Sequence, residues 1–145
     1  MVKVLIKKLD PTVKLPEYKT CGASGVDLTA FIKETIDLKP KKSVLVPTGL
    51  SVAFSEDFEI QIRPRSGLAF RHGLTVTNAP GTIDSDYRGE LKVLLVNLGK
   101  EPVTIERGMR IGQLVIAPVV QASVSEVATL DETERGAGGF GSTGV

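Results

Sequence analysis

The sequence contains one histidine, His72, and one cysteine, Cys21, too few ligands for a zinc cluster and too few parts for a Cys-His or Ser-His-Asp nucleophile system. A lone cysteine also excludes an internal disulfide, which fits a reducing compartment. Long apolar runs are missing. Val2 to Ile6 is too short for a signal core or a membrane span, and Lys7 and Lys8 interrupt it at once. A cytoplasmic chain without a membrane partner is the expectation. The formal net charge is only +1, so no global field exists to hold a nucleic-acid duplex or an anionic membrane. Helical periodicity is weak throughout, and no lysine immediately precedes Ser142 and Thr143, which excludes a Walker phosphate loop.

What is present is an ordinary globular composition, 41% hydrophobic and 24% charged over 145 residues. A chain of that length buries roughly 70% of its unfolded surface as one domain. Fifteen glycines and eight prolines separate short apolar runs, the pattern of an all-β sandwich, jelly roll or barrel. Strands are expected at Val44–Val46, Glu59–Arg63, Leu74–Thr77, Glu90–Val96, Ile111–Ala117 and Ser123–Val127. One short helix is expected with Ser66 as N-cap and Gly73 as its stop. Pro80-Gly81 suits the centre of a type II turn, so Asn78 to Asp84 reads as a hairpin tip. After residue 130 the apolar rhythm fails. Residues 1–130 therefore form the β domain, and 131–145 a glycine-rich tail expected to be mobile without a ligand.

Cations change type along the chain. All seven arginines, from Arg63 to Arg135, follow a first part whose cations are lysines. Arginine suits bidentate recognition of phosphate or carboxylate, which points to a local anion site. Gly136, Gly138 and Gly141 match G-x-G-x-x-G, but that pattern has meaning only between a strand and a helix, and here only Ser142 to Val145 follow. The tail is either a disordered end or a segment wrapping backbone N–H groups, two hydroxyls, Arg135 and the Phe140 ring around an anion and a base. Ser66 beside Arg65 is either an ordinary cap or a phosphate site at a helix start. Asp84 and Asp86 would alternate in direction if extended. They are either turn aspartates or supply one ionised base that orients a water.

Five segments occur in order: Ser24-Gly25-Val26-Asp27-Leu28; Pro64-Arg65-Ser66-Gly67-Leu68; Gly81 through Gly89; Arg110-Ile111-Gly112-Gln113-Leu114; and Arg135 through Gly144. Together they resemble the trimeric dUTPase family over nearly the whole chain. The resemblance implies a jelly-roll protomer, a homotrimer with active sites at subunit interfaces, and a tail closing over a neighbour's site. It implies hydrolysis of dUTP to dUMP and pyrophosphate, limiting uracil in DNA and supplying dUMP for thymidylate synthesis. Asp84 would orient the water attacking the α-phosphorus. Asn78 and the backbone of Gly81, Thr82 and Ile83 would read uracil. Tyr87 would pack under the deoxyribose and clash with a ribose 2′-hydroxyl. Arg65, Ser66, Gly67, Lys92 and Gln113 would contact the substrate, the phosphate chain above all. Arg135, Gly141, Ser142 and Thr143 would close on its far end with Phe140 over the base, and Asp27 and Arg110 would support. Mg²⁺ would be carried by phosphates and water.

Two other readings compete. A dCTP deaminase-type enzyme would carry a glutamate inside the strand after the hairpin, but Leu91 to Val96 has no interior carboxylate. A non-catalytic jelly-roll module would be favoured by loss of Asp84 or of the tail, and both are present.

Overall fold

Alternation along short strands sets the architecture. In a computed structural model describing residues 2–141, eleven strands and one helix form. In chain order the strands are β1 (Leu5–Lys8), β2 (Gly25–Thr29), β3 (Ile36–Leu38), β4 (Ser43–Pro47), β5 (Leu50–Ala53) and β6 (Phe58–Arg63), then β7 (Leu74–Val76), β8 (Gly81–Ile83), β9 (Lys92–Asn97), β10 (Val103–Ile105) and β11 (Arg110–Pro118). The helix, α1 (Ser66–His72), joins β6 to β7. In β9, Val93, Leu95 and Asn97 point inward while Lys92, Leu94 and Val96 do not, the period of two that a sheet imposes. The all-β expectation holds, and five of the six expected strands form with ends shifted by a residue or two.

All pairings among the described residues are antiparallel. A four-stranded sheet runs β2-β11-β6-β8 and a three-stranded sheet β4-β9-β7, with two-stranded ribbons β1-β5 and β10-β3. Their inner faces meet in one core. Leu28, Ile60, Leu74, Leu91, Leu95, Ile105 and Ile111 are fully buried there, each contributing about 1.5–3 kcal/mol relative to exposure. At the N-terminal edge, the Thr12 hydroxyl and then its backbone N–H donate to Asp10, which lowers the Asp10 carboxyl pKa. Arg107 donates to the Thr12 hydroxyl and lies over the Phe31 ring, 4.2 Å from its centroid.

Three local expectations are corrected. The N-cap of α1 is Arg65, extended at φ −91° and ψ 124°, and no side chain caps it; Ser66 is already the first helical residue. Gly73 does end the helix, left-handed at φ 65°, returning its N–H to Ala69 and Leu68 carbonyls. The Asn78–Asp84 segment is not a hairpin. β7 pairs with β9 and β8 pairs with β6, so this segment carries the chain from one sheet to another. The Ala79–Pro80 bond is cis and Gly81 does not take positive φ, so the type II turn is absent too. Ser123–Val127 forms no strand because no described strand offers it a ladder; Val124 is 93% exposed. No described helix is long and apolar enough to cross a membrane.

Asn97 joins the elements around β9. Fully buried, it donates from Nδ2 to the Leu38 and Glu101 carbonyls at 2.9 and 2.8 Å, and accepts the Gly99 N–H at 2.9 Å. Asn97→Ala should leave these three groups without partners and lower stability by roughly 2–3 kcal/mol, read as a lower urea midpoint by circular dichroism.

Candidate active site

The outer face of the four-stranded sheet carries the polar residues that the strand period turns away from the core. Asp27 on β2, Gln113 on β11 and Arg63 on β6 share one register row. Along β6, Arg63 donates through Nε and Nη2 to Gln61 Oε1 at 2.9 and 2.6 Å, and Gln61 Nε2 donates to Glu59 Oε1 at 2.5 Å. Asp27 is the point of convergence. Its Oδ1 accepts Arg65 Nε at 3.0 Å and its Oδ2 accepts Arg110 Nη1 at 3.2 Å. Arg65 also reaches the Arg110 carbonyl at 3.4 Å. The second, fourth and first motifs thus meet at one carboxylate, although their residues lie 38 and 83 positions from Asp27.

Gln113 Nε2 donates to the Pro64 carbonyl at 3.0 Å. A Cβ at Gly25 would stand 2.6 Å from Gln113 Oε1, so the missing side chain leaves the space that the carboxamide fills. Ser66 is exposed at the start of α1, and a Cβ at Gly67 would meet Arg71 Nη2 at 2.9 Å. A cavity of about 470 Å³ opens between Gln61, Arg63, Pro64, Ala79, Pro80 and Gln113. Gln61, Arg63 and Glu59 were not among the candidates, though the strict alternation of β6 was the signal that would have found them.

The third motif stands elsewhere. Gly81 is buried against Ile62, and the Asn78 amide closes over it, Nδ2 lying 3.2 Å from a Gly81 Cβ position. Thr82 faces out and Ile83 packs on the core. Asp84 follows directly, exposed. Its carbonyl accepts the Tyr87 N–H at 3.1 Å, so Asp84 to Tyr87 is a tight turn and not the extended run in which its carboxylates would alternate. Asp84 and Asp86 both line a cavity of about 190 Å³ with Glu56, Glu59 and Gln121. The Tyr87 hydroxyl donates to the Glu90 carbonyl at 3.0 Å. Lys92 is exposed at the start of β9.

Register gives the separation of these groups. Ile83 pairs with Ile60, so Asp84 stands level with Glu59, four residues along β6 from the Arg63–Gln113–Asp27 row and on the edge strand opposite β2. At about 3.3 Å per residue and 4.8 Å per strand, Asp84 and Asp27 lie at diagonal corners roughly 20 Å apart, and Asp84 and Gln113 roughly 16 Å apart. Among the described residues, the tail joins neither group. Arg135 Nε donates to its own loop at the Gly138 carbonyl, 2.8 Å, and Phe140 is fully exposed beside Gly141. Ser142 and Thr143 lie outside the described residues. Among the described residues no cluster of three His, Cys, Asp or Glu side chains could hold a metal ion.

A family model described as dUTPase matches residues 12–144. A deoxyuridine 5'-triphosphate nucleotidohydrolase of Rhizobium leguminosarum bv. trifolii is 62% identical over 133 residues, covering 90% of this chain and 85% of its own. One of Rickettsia bellii is 56% identical over 146 residues, covering 100% of this chain and 97% of its own. Among solved structures, a Staphylococcus bacteriophage 80alpha dUTPase G164S mutant with dUpNHpp superposes with a TM-score of 0.84 at 26% identity, over 99% of both chains. A dUTPase from phage phi11 of S. aureus, described with a structural Mg(II) ion, superposes at 0.80 with 20% identity over 90% of this chain and 99% of its own, a likeness of fold.

The convergence on Asp27 is testable without any ligand. The Arg65 and Asp27 side chains are 24% and 22% exposed, so removing the carboxylate leaves two half-shielded guanidiniums facing one another. Asp27→Ala should cost about 1–2 kcal/mol at low ionic strength. Added sodium chloride should recover part of that loss by screening the arginines, seen as a thermal-melt difference from the parent that narrows with salt.

Proposed function

The chain belongs to the dUTPase family, it is an enzyme that hydrolyses dUTP to dUMP, and we propose that Asp84 supplies the base while a neighbouring copy supplies the phosphate-holding arginines. The observation that carries this reading is the roughly 16–20 Å between Asp84 and the Gln113–Asp27 row within one chain. A general base must lie within about 3 Å of the water it activates, directly or through one more water. That water attacks the α-phosphorus, next to the phosphates that Arg65 and Gln113 hold. Side chains of one chain would have to close that separation across a single triphosphate, so we assign the two groups to different copies. Closed rotational symmetry would bring them together by setting the Asp84 corner of one copy against the Asp27 corner of the next, three times over in the homotrimer that the resemblance implies.

In this arrangement the exposed Asp84 aligns the water and takes its proton as the phosphorus–oxygen bond forms and pyrophosphate leaves. Arg65, Ser66, Gly67 and Gln113 bind the phosphate chain, Gln113 through the second N–H of its amide while the first stays on the Pro64 carbonyl. Asn78 and the β8 backbone read uracil from within the space that Gly81 leaves open. Tyr87 lies against the deoxyribose and excludes a 2′-hydroxyl. Lys92 adds charge beside it. The tail, residues 131–145, closes as a separate segment, bringing Arg135, Phe140, Gly141, Ser142 and Thr143 over the nucleotide and excluding water. Asp27 and Arg110 hold Arg65 in line. Mg²⁺ would be carried by the substrate's phosphates and by water, and would neutralise developing phosphate charge beside Arg65. A cytoplasmic location belongs to the same proposal.

Pyrophosphate release from dUTP, dCTP, dTTP and UTP with Mg²⁺ tests this directly. Release should be confined to dUTP and fall at least roughly a thousandfold in Asp84→Asn with dUTP still bound; ammonia from dCTP would contradict it. Sharing of sites is tested by mixing. Asp84→Asn and Arg65→Ala chains, each inactive alone, should regain activity in roughly a quarter of sites when co-refolded, because each copy supplies what its neighbour lacks. A mixture as inactive as its parts would place the whole site in one chain. Truncation after Glu134 should leave the fold's melting point unchanged and reduce turnover at least about tenfold.

A further inference from the structure

Tyr87 is 42% exposed, so core packing does not orient its ring. Two short-range features do. The ring lies across Gly89, where a Cβ would stand 2.5 Å from Tyr87 Cζ and 2.9 Å from Cε2, an overlap that no side chain tolerates. Its hydroxyl donates to the Glu90 carbonyl at 3.0 Å. The ring is therefore only as fixed as the Gly89–Glu90 backbone beneath it.

That backbone is pinned from 41 residues away. Glu90 Oε1 accepts the Gly49 N–H at 2.8 Å, and Gly49 is a buried residue held left-handed at φ 71° between β4 and β5. The next residue, Leu91, is fully buried. Its N–H donates to the Leu50 carbonyl at 2.7 Å, and its carbonyl accepts the Thr48 hydroxyl at 2.7 Å. Backbone bonds thus hold Leu91 and, through the peptide plane they share, the Glu90 carbonyl, while the carboxylate of Glu90 adds a separate side-chain tie from this residue to the β4–β5 turn. It also satisfies a buried N–H that would otherwise have no partner.

We infer that Glu90 and Gly89 are positioning residues for sugar discrimination: Glu90 anchors the loop to the β4–β5 turn, and Gly89 provides the surface on which the Tyr87 ring rests. The inference deepens the proposed role of Tyr87 and rests on it. The requirement on Glu90 is for an acceptor at Oε1, not for charge, so a glutamine should serve.

The test compares kcat and KM for dUTP and UTP in Glu90→Ala, Glu90→Gln, Gly89→Ala and Tyr87→Ala, with melting points recorded. Tyr87→Ala should lose discrimination, which verifies the reading beneath. Glu90→Ala and Gly89→Ala should lower the dUTP-over-UTP ratio of kcat/KM by about tenfold or more, chiefly through a falling KM for UTP, and Glu90→Gln should keep it. If Tyr87→Ala loses discrimination while the alanine variants at 89 and 90 keep it, the positioning role is overturned. It is equally overturned if Glu90→Gln behaves as Glu90→Ala. Unchanged discrimination in Tyr87→Ala would instead overturn the role of the tyrosine itself. Should Glu90→Ala fail to fold, Gly89→Ala, which removes no polar group, decides the same question.

Discussion

A single carboxylate, Asp27, accepts from the guanidiniums of Arg65 and Arg110, and through them it joins the start of the helix to two strands of the four-stranded sheet. Without it, two arginines would stand close together with only water to separate them. With it, Arg65 has a fixed direction and retains its remaining N–H groups for another anion. A fork of five donors held at one edge by a carboxylate is preorganised for phosphate at the other. The charge arrangement therefore serves packing and recognition at once. Gln113 follows the same logic, since Gly25 and the Pro64 carbonyl hold its carboxamide before any ligand arrives.

In the proposed reading, the same sheet accounts for a centre divided between copies. Its inner face is apolar, and its outer face carries Asp27, Gln113, Arg63, Gln61 and Glu59 as an ordered polar surface. Asp84 directly follows the edge strand β8 at the far corner. The two corners are chemically complementary, one collecting cations and the other carboxylates, yet register holds them apart. In the proposed trimer that separation is what makes catalysis depend on assembly. The exposed Val120, Val124 and Leu130 after β11 likewise lack a partner among the described residues.

Much of this was legible in the sequence where a run was long enough to show its period. Glu59–Arg63 alternates over five positions and Glu90–Val96 is an apolar-rich run of seven, and strands form in both. β3, β8 and β10 have three residues each, too few for a period, and β8 was hidden by Pro80-Gly81, whose turn chemistry predicted a hairpin. Its true partner, β6, is far away in sequence. Ser123–Val127 shows the converse, strand composition without a strand, because a ladder needs a neighbour and composition does not supply one. At the site, motif residues were identifiable one by one, but the meeting of Asp27 with Arg65 and Arg110, and the support of Tyr87 by Glu90, depend on contacts across 38, 83 and 41 positions that only the fold brings together.

The central claim is that one nucleotide is served by more than one copy of the chain. It is tested most directly by a crystal structure of the protein with Mg²⁺ and a non-hydrolysable dUTP analogue. The account predicts Asp84 of one copy beside the α-phosphorus, with Arg65 and Gln113 of a neighbouring copy on the same phosphate chain. An analogue contacted by Asp84, Arg65 and Gln113 of a single chain would contradict it.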